Sequence, residues 1–187
     1  MYTTEYTTPI CKAVDAGDNE MVKVLLRGNA DVLPPMRDYT PLHRAVRHGF
    51  FAIVQTLLED KGGVQCKDQL LARFSNNDSS YGGYTALHFA VSGSTRDEEN
   101  SPASSRFRTV ETLLRYGADL QEPDMDGFLP LHTVERNICY TDASIQQMNM
   151  QIGKMGGHRG VQRMQENLLE MQKEVETLYA LKELLLR

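Results

Sequence analysis

The sequence predicts an all-α solenoid of about four helix-turn-helix units, interrupted by loop insertions and ended by a C-terminal capping helix. The prediction rests on two short patterns that alternate along the 187 residues. The first pattern is Thr-Pro-Leu-His-x-Ala, which is complete at residues 40–45 and varied at 8–13, 85–90 and 129–134. The second pattern is Val-x-x-Leu-Leu, which occurs at 22–26, 54–58 and 110–114. Each pair of patterns predicts one unit of two helices.

The first pattern contains the residue types that begin a helix. Thr8, Thr40 and Thr85 stand where a hydroxyl can cap the helix N-terminus. Pro follows in three of the four copies, at the first helical position, where its missing N–H costs nothing. The final Ala is small, so neighbouring helices can pack closely. Gly17 and Gly49 then tolerate the positive φ that ends a helix.

The second pattern predicts an amphipathic helix, because its Val and Leu side chains form an apolar stripe. Gly117 follows the third copy, and Asn29 stands at the equivalent place after the first. Asn replaces Gly in the left-handed conformation more readily than most residues do, so this exchange supports the alignment of the units.

The alternation of Thr-Pro-Leu-His-x-Ala with Val-x-x-Leu-Leu resembles the ankyrin-repeat family, over about residues 5–134 with gaps. The resemblance implies units that bury one another's apolar faces, and protein binding on a concave face formed by hairpin tips and first helices. It also implies that the His of each motif hydrogen-bonds backbone in the turn between units. We expect a single domain, 1–187, with repeats at about 5–36, 37–68, 82–121 and 126–187.

Three segments depart from a regular array. Residues 60–83 are too long for an ordinary connector, and their second half is expected to be loop. Residues 92–106 are polar and rich in Ser, so an exposed or disordered loop inside the third repeat is expected. Residues 135–160 are interpreted as a third insertion, because Gln, Met and Gly accumulate there without clear periodicity.

The segment 161–187 has a strong helical pattern. Its apolar residues follow heptad-like spacings, up to the break at Lys182; they are Met164, Leu168, Met171, Val175 and Leu178. We interpret it as the second helix of the fourth repeat, capping the stack. The alternative is a coiled coil that makes a dimer through 161–187. Two heptads are shorter than such a coil usually needs, so capping and a monomer are favoured.

Charge and composition exclude several classes of partner. The net charge is −5 and no long Lys/Arg cluster occurs, which argues against nucleic acid and against an anionic membrane. No apolar run approaches the ~20 residues of a membrane span, and no secretory signal is seen. The three cysteines are odd in number and widely spaced, so a reducing compartment, cytoplasm or nucleus, is expected.

No motif for catalysis, cofactor binding or metal binding is found, so we expect no enzyme. His43, His88 and His132 occupy one position of three successive motifs. Equivalent positions of stacked units lie ~10 Å apart, too far to share a zinc ion that each ligand must approach within about 2 Å. A structural role for these imidazoles is therefore favoured over a metal site.

Partner-binding candidates follow from the family's concave face. Tyr39, Tyr84 and Phe128 precede three of the motifs and would present aromatic rings at hairpin tips. The alternative is that these rings pack on the adjacent hairpin. Further candidates at the tips or on the first helix of repeat two are Met36, Arg37, Arg44, Arg47, His48, Tyr81 and Met125. Four of these form a basic patch, Arg37, Arg44, Arg47 and His48, for which either an acidic partner or a solvated charged face is expected.

The predicted function is a non-enzymatic protein-protein interaction module that binds a partner protein or peptide on its concave face. The alternative is a targeting or regulatory repeat segment of a larger enzyme or adaptor whose activity lies outside this chain.

Overall fold

A computed structural model of the chain describes residues 8–31, 39–59, 70, 72–74, 82–92, 102–154 and 158–186. In this part of the chain the helices are α1 (Pro9–Asp15), α2 (Asn19–Arg27), α3 (Pro41–His48), α4 (Phe51–Glu59), α5 (Ala86–Val91), α6 (Pro102–Arg115), α7 (Pro130–Lys154) and α8 (His158–Leu185). The described residues contain no strand, so the predicted all-α class is confirmed. The chain divides into two compact units, Met1–Pro130 and Leu131–Arg187, with the boundary inside the predicted fourth repeat.

The helices described in the first unit form three pairs, α1 with α2, α3 with α4 and α5 with α6. First helices pack against first helices, because α3 contacts both α1 and α5. Second helices likewise pack in a row, with α4 in contact with α2 and α6. This arrangement of two parallel rows is the predicted stacking of repeats, in which each pair covers its neighbour's apolar side.

The ends of these short helices form as the sequence predicts. The hydroxyls of Thr8, Thr40 and Thr85 accept hydrogen bonds from backbone N–H groups three residues further on. The first helices are followed by Gly17 at φ 69° and Gly49 at φ 75°. The second helices are followed by Gly117 at φ 91° and by Asn29 at φ 58°, which confirms their predicted equivalence.

The core of the first unit consists mainly of the residues of the two recurring patterns. From the first pattern the buried side chains include Ile10, Ala13, Leu42, Ala45, Leu87 and Ala90. From the second pattern they include Val22, Leu26, Val54, Leu57, Leu58, Val110 and Leu113. Burying a Leu or Val side chain contributes about 1.5–3 kcal/mol, so this core dominates the stability of the unit.

The loop predicted for 92–106 is wrong in its last five residues. Helix α6 begins at Pro102, one turn before the expected second helix. Ser105 and Arg106 are buried, and the Ser105 hydroxyl donates to the carbonyl of Gly49 at 3.4 Å. The extra turn forms because it packs on the turn between α3 and α4, a contact that local polarity does not reveal. Residues 93–101 lie outside the described part of the chain.

The predicted insertion at 135–160 also needs correction, because α7 continues without a break from Pro130 to Lys154. Helix α8 begins at His158, and residues 155–157 lie outside the described part of the chain. Near the opposite end of the pair, Lys182 of α8 forms an ion pair with Glu135 of α7 at 2.9 Å. The two helices of the second unit therefore form an antiparallel hairpin, named here the 130–185 hairpin. The capping role predicted for 161–187 stays a prediction.

Candidate protein-binding surface

Three of the predicted basic residues of repeat two, Arg44, Arg47 and His48, lie on α3, and Asp15 of α1 contacts two of them. The Arg44 guanidinium donates from Nη1 to Asp15 Oδ2 at 2.6 Å. His48 Nε2 lies 3.5 Å from Asp15 Oδ1, and its ring stacks on Phe50 with centroids 5.4 Å apart. The sequence does not predict Asp15 as part of this cluster, because the repeat alignment does not show that it reaches across to the next unit.

Tyr39 joins the aromatic interior to this charged cluster. Its ring lies beneath the Arg44 guanidinium, whose Cζ is 4.6 Å from the ring centroid. The Tyr39 hydroxyl accepts a hydrogen bond from Arg47 Nη1 at 3.4 Å. Burial raises the pKa of Tyr39 above its ordinary value, and the hydrogen bond from Arg47 opposes part of this rise. The Tyr39 ring is half-buried, and its hydroxyl lies beside the exposed side chain of Arg47.

These contacts revise the predicted basic patch. Asp15 contacts both Arg44 and His48, so the charge of the patch is partly neutralised within the protein. Arg37, its fourth predicted member, lies outside the described residues, as do the candidates Met36 and Tyr81. Among the described members, Arg47 is the most exposed cation and therefore the best placed to meet a partner's negative charge.

The burial of Tyr84 contradicts its predicted role as an exposed binding residue. Its side chain is only 2% exposed, it stacks on the His88 ring, and it makes an edge contact with Phe89. The ring is buried against His88 and Phe89 of its own repeat, so it is not an exposed anchor, and the alternative of packing on the adjacent hairpin stays a prediction. The physical reason is an aromatic cluster that the repeat pattern does not encode, since Phe74 lies outside both patterns and touches Tyr39 and Phe89 edge-on.

The hairpin at 124–128 presents the two remaining candidates. Met125 is 58% exposed and Phe128 is 43% exposed. The turn beneath them is fixed by the Asp124 carboxylate, which accepts from the backbone N–H groups of Asp126 and Phe128. A turn held in this way keeps both apolar side chains outward at little further entropic cost on binding.

Gly83 sets how closely this hairpin approaches the preceding one. Its φ is 77°, and a Cβ added there would lie 2.5 Å from the backbone nitrogen of Met125. The same backbone nitrogen donates to the carbonyl of Gly82 at 3.1 Å. Neighbouring tips are therefore joined backbone to backbone, which places Met125 next to residues 82–83.

The motif histidines have structural roles in two of the three repeats. The Nδ1 atoms of His43 and His88 accept from the backbone N–H of Thr40 and Thr85, each at 3.3 Å. His88 Nε2 then donates to the carbonyl of Phe128, in the next hairpin, at 3.0 Å. This hydrogen bond is the link between units that the family resemblance implies.

Burial changes the proton affinity of both rings. It lowers the pKa of His43 to about 4, while backbone contacts with Ala72 and Tyr84 oppose part of the effect. Burial also lowers the pKa of His88, opposed mainly by the carbonyl of Phe128. Both imidazoles are therefore neutral at pH 7. Within the described residues, no group of three or more His, Cys, Asp or Glu side chains could hold a metal ion.

His132 departs from this pattern and is exposed. In its motif Leu129 replaces the capping Thr, so the hydroxyl that faces the imidazole in the other repeats is missing. The fourth motif thus begins a helix at Pro130 but does not reproduce the Thr–His pair.

Comparison with known proteins supports the repeat assignment. A family model described as "Ankyrin repeats (3 copies)" matches residues 1–70, and one described as "Ankyrin repeat" matches residues 82–125. The chain is also 33% identical over 91 residues to alpha-latrotoxin-Lg1a of Latrodectus geometricus. This match covers 48% of the chain but only 6% of the toxin. Among the helices described, none is long and apolar enough to cross a membrane. The two family models together cover more than half of the sequence, and the chain belongs to the ankyrin-repeat family.

Proposed function

We propose that the first unit binds a partner protein or peptide through its hairpin tips and the exposed side of α3, without catalysing a reaction. Ankyrin repeats are generally protein-interaction modules, and this supports the broad class of function. The observation that carries the finer proposal is the pair of exposed apolar side chains, Met125 and Phe128, on a turn that Asp124 holds rigid. Aromatic side chains on a rigid support are typical interface anchors.

The α3 side contributes polar contacts to the same proposal. Arg47 is exposed and lies beside the Tyr39 hydroxyl, so a partner's carboxylate could accept from both groups. Arg44 and His48 would add to this attraction only if the partner displaced Asp15. The proposed partner segment therefore has an apolar side chain for the 124–128 hairpin and a single acidic group for Arg47, and it need not be strongly acidic.

The proposal is tested with Phe128→Ala and Arg47→Ala in a quantitative pull-down from cell extract. Val24→Ala is the matched control, because Val24 is also an exposed apolar residue but lies on the second helix α2. Phe128→Ala should weaken recovery of the partner about tenfold, which corresponds to the roughly 1.4 kcal/mol of a moderate hot spot. Loss of the partner with Val24→Ala, or undiminished recovery with both test variants, would place binding elsewhere.

A second candidate is that the repeats serve as the targeting or regulatory segment of a larger enzyme or adaptor. The match to alpha-latrotoxin-Lg1a supports this second candidate, because the matched region is a small part of a much longer protein. Sequencing of the complete transcript distinguishes the two, since only the second candidate requires a catalytic or adaptor domain on the same polypeptide.

A further inference from the structure

Phe74 lies between the two parts of the proposed binding surface. On one side its ring meets the ring of Tyr39 edge-on, with the centroids 5.2 Å apart. On the other side its neighbour Arg73 forms an ion pair with Glu122, just before the 124–128 hairpin. Phe74 is half-buried, so part of it stays accessible to a partner. Because it lies outside both repeat patterns, the sequence does not predict it as a binding residue.

The backbone of Phe74 makes the same hydrogen bonds as that of Asp124 in the next hairpin. The N–H of Phe74 donates to the carbonyl of Tyr84 at 2.8 Å. The N–H of Asp124 donates to the carbonyl of Phe128 at 2.9 Å. In both hairpins the carbonyl of the same residue accepts from a glycine N–H, at 2.6 and 3.1 Å, and both glycines have a positive φ, 77° and 83°. Phe74 and Asp124 therefore occupy equivalent positions.

The side chains at these equivalent positions have different roles. The Asp124 carboxylate holds its turn by accepting from two backbone N–H groups. A phenyl ring has no such acceptor, so Phe74 cannot hold a turn in this way. Its ring instead contacts Tyr39 of the preceding repeat and Phe89 of α5, both edge-on. Repeat three therefore has an apolar group beside Tyr39 where repeat four has a group that holds the turn.

Helix α5 itself offers a partner no accessible side chain. Each of its six residues is at most 1% exposed. Phe89 occupies the variable position of the Thr-Pro-Leu-His-x-Ala motif, where the first two repeats carry the charged residues Lys12 and Arg44. A partner that contacts both α3 and the 124–128 hairpin must therefore cross repeat three on residues outside α5, and Phe74 is placed there.

The spacing of the repeats sets the length of the partner segment. Arg47, Phe74 and Phe128 belong to three successive repeats, and neighbouring repeats lie about 10 Å apart, the distance between packed helices. An extended chain advances about 3.3 Å per residue, so about every third residue of an extended segment meets the next repeat. A helix is about 10–12 Å wide and needs a broad apolar surface, which the covered α5 does not supply. An extended segment therefore fits this surface better than a helix.

We propose that the partner binds as an extended segment across three successive repeats, with Phe74 as its central contact. This inference rests on the proposed function and specifies the partner's chemistry. The segment carries an acidic residue for Arg47, an apolar residue about three positions away for Phe74, and a second apolar residue about three positions further for Phe128. Without Phe74, the covered α5 would divide the surface into two small separate sites.

Random peptides displayed on phage and selected on the full-length chain test the proposal, with a peptide length of about 16 residues, roughly twice the expected span. Enriched peptides should share an acidic residue and two apolar residues at intervals of about three. One such peptide, carrying a fluorophore, is then titrated with the chain and its variants in fluorescence anisotropy. Phe74→Ala should weaken binding about tenfold, as Arg47→Ala and Phe128→Ala should.

Phe89→Leu is the matched control, because it changes the same aromatic cluster at a ring that a partner cannot reach. It should alter binding less than about twofold, and circular dichroism checks that both variants keep the fold. A double-mutant cycle separates direct contact from packing. Replacing the central apolar residue of the peptide with Ala should weaken binding to the unmodified chain about tenfold, but binding to Phe74→Ala less than about twofold.

The outcomes separate this inference from the proposed function. Undiminished binding to Phe74→Ala, with weakened binding to Arg47→Ala and Phe128→Ala, overturns the inference and leaves the proposed function standing. Undiminished binding to all three variants overturns both. The inference also fails if Phe89→Leu weakens binding as much as Phe74→Ala does, if the two peptide effects add, or if no peptide of the expected kind is enriched. Intervals of about seven residues, the helical spacing for 10 Å, would likewise overturn it.

Discussion

The two units of this protein reach stability in different ways. The helices of the first unit are short, from six to 14 residues, and each hydroxyl cap or left-handed turn fixes where one ends and the next begins. The helices of the 130–185 hairpin are 25 and 28 residues long. In helices of that length, the hydrogen bonds added by each further residue offset the free-energy cost of nucleating the first turn. Short helices gain too little in this way, so they depend on tertiary packing and on capping residues. The comparison indicates that single side chains matter more in the repeats than in the hairpin.

Removing a core side chain should give the largest difference between the units. Leu42 is fully buried in α3, and Leu42→Ala should lower the free energy of unfolding by about 4 kcal/mol through lost burial and a residual cavity. Leu168→Ala, at a half-buried position of α8, should cost only about 1 kcal/mol. Urea unfolding of both variants measures these values, and equal losses would break the comparison.

Acid should act chiefly on the repeats. The pKa of His43 is about 4 in the folded protein and about 6.5 in the unfolded chain, so between these values the unfolded chain binds a proton that the folded protein does not. The free energy of unfolding is therefore not reduced by His43 above about pH 6.5, and it should fall by about 3 kcal/mol as the pH falls to 4. The lowered pKa of His88 adds to this loss. In urea unfolding between pH 7 and 4, His43→Asn should flatten the dependence of the unfolding free energy on pH, and an unchanged dependence would contradict the role assigned to His43.

Loss of a helix cap should have an intermediate effect. Thr40→Ala removes the hydroxyl that caps α3 and faces the His43 ring, and should cost about 2 kcal/mol. Thr141→Ala is the control, because its hydroxyl bonds only to the carbonyl of Asn137 one turn earlier in α7. It should change the unfolding free energy by less than about 0.5 kcal/mol. Thermal unfolding is a sufficient measurement, and a large effect of the control would show that the long helices also depend on local hydroxyls.

The smallest effects should differ in sign between the units. Gly117 has a φ of 91°, so Gly117→Ala should destabilise the protein by about 1 kcal/mol although no atom blocks the added Cβ. Gly153 lies in the last turn of α7 with open space where a Cβ would be, so Gly153→Ala should stabilise by about 0.5 kcal/mol. Two effects of the same sign in urea unfolding would contradict the assignment of one glycine to a turn and the other to a helix.

Much of the first unit could be predicted from the sequence because its signals are local. Thr40 and Gly49 determine their own backbone conformations, and Asn29 could be matched with Gly117 by position alone. The start of α6 could not be predicted in this way, since the buried surface of Ser105 and Arg106 comes from a neighbouring repeat. Pro102 was the one available signal, because Pro commonly stands at the first position of a helix.

The hairpin was partly recognisable from its sequence. The helix at 161–187 followed from its periodicity, whereas the continuation of α7 did not. Six residues of α7 in fact follow heptad spacings, namely Val134, Ile138, Thr141, Ile145, Met148 and Ile152. The polar Thr141 and the surrounding Gln and Asn residues concealed that seam. A search for spacing rather than for composition would have found it.

The candidate surface was the least predictable part. Four of the seven predicted residues that the structure describes lie at α3 or next to it, but their neutralisation by Asp15 depends on two repeats meeting in space. The burial of Tyr84 against His88 and Phe89 depends on side-chain packing that the repeat pattern does not encode. Position within a repeat therefore predicts which face a residue belongs to, whereas the neighbouring repeat determines whether its side chain is exposed or buried.

Hydrogen exchange measured residue by residue tests the difference between the units most directly. The amides of α2, α4 and α6 around Val22, Val54 and Val110 should exchange only through global unfolding, because these side chains form the repeat core. The amides of 145–154 and 161–171 in the hairpin should exchange faster, through local opening, because the apolar side chains there are at most half-buried. Equal protection of the two regions, or slower exchange in these hairpin segments than in the repeats, would contradict the account.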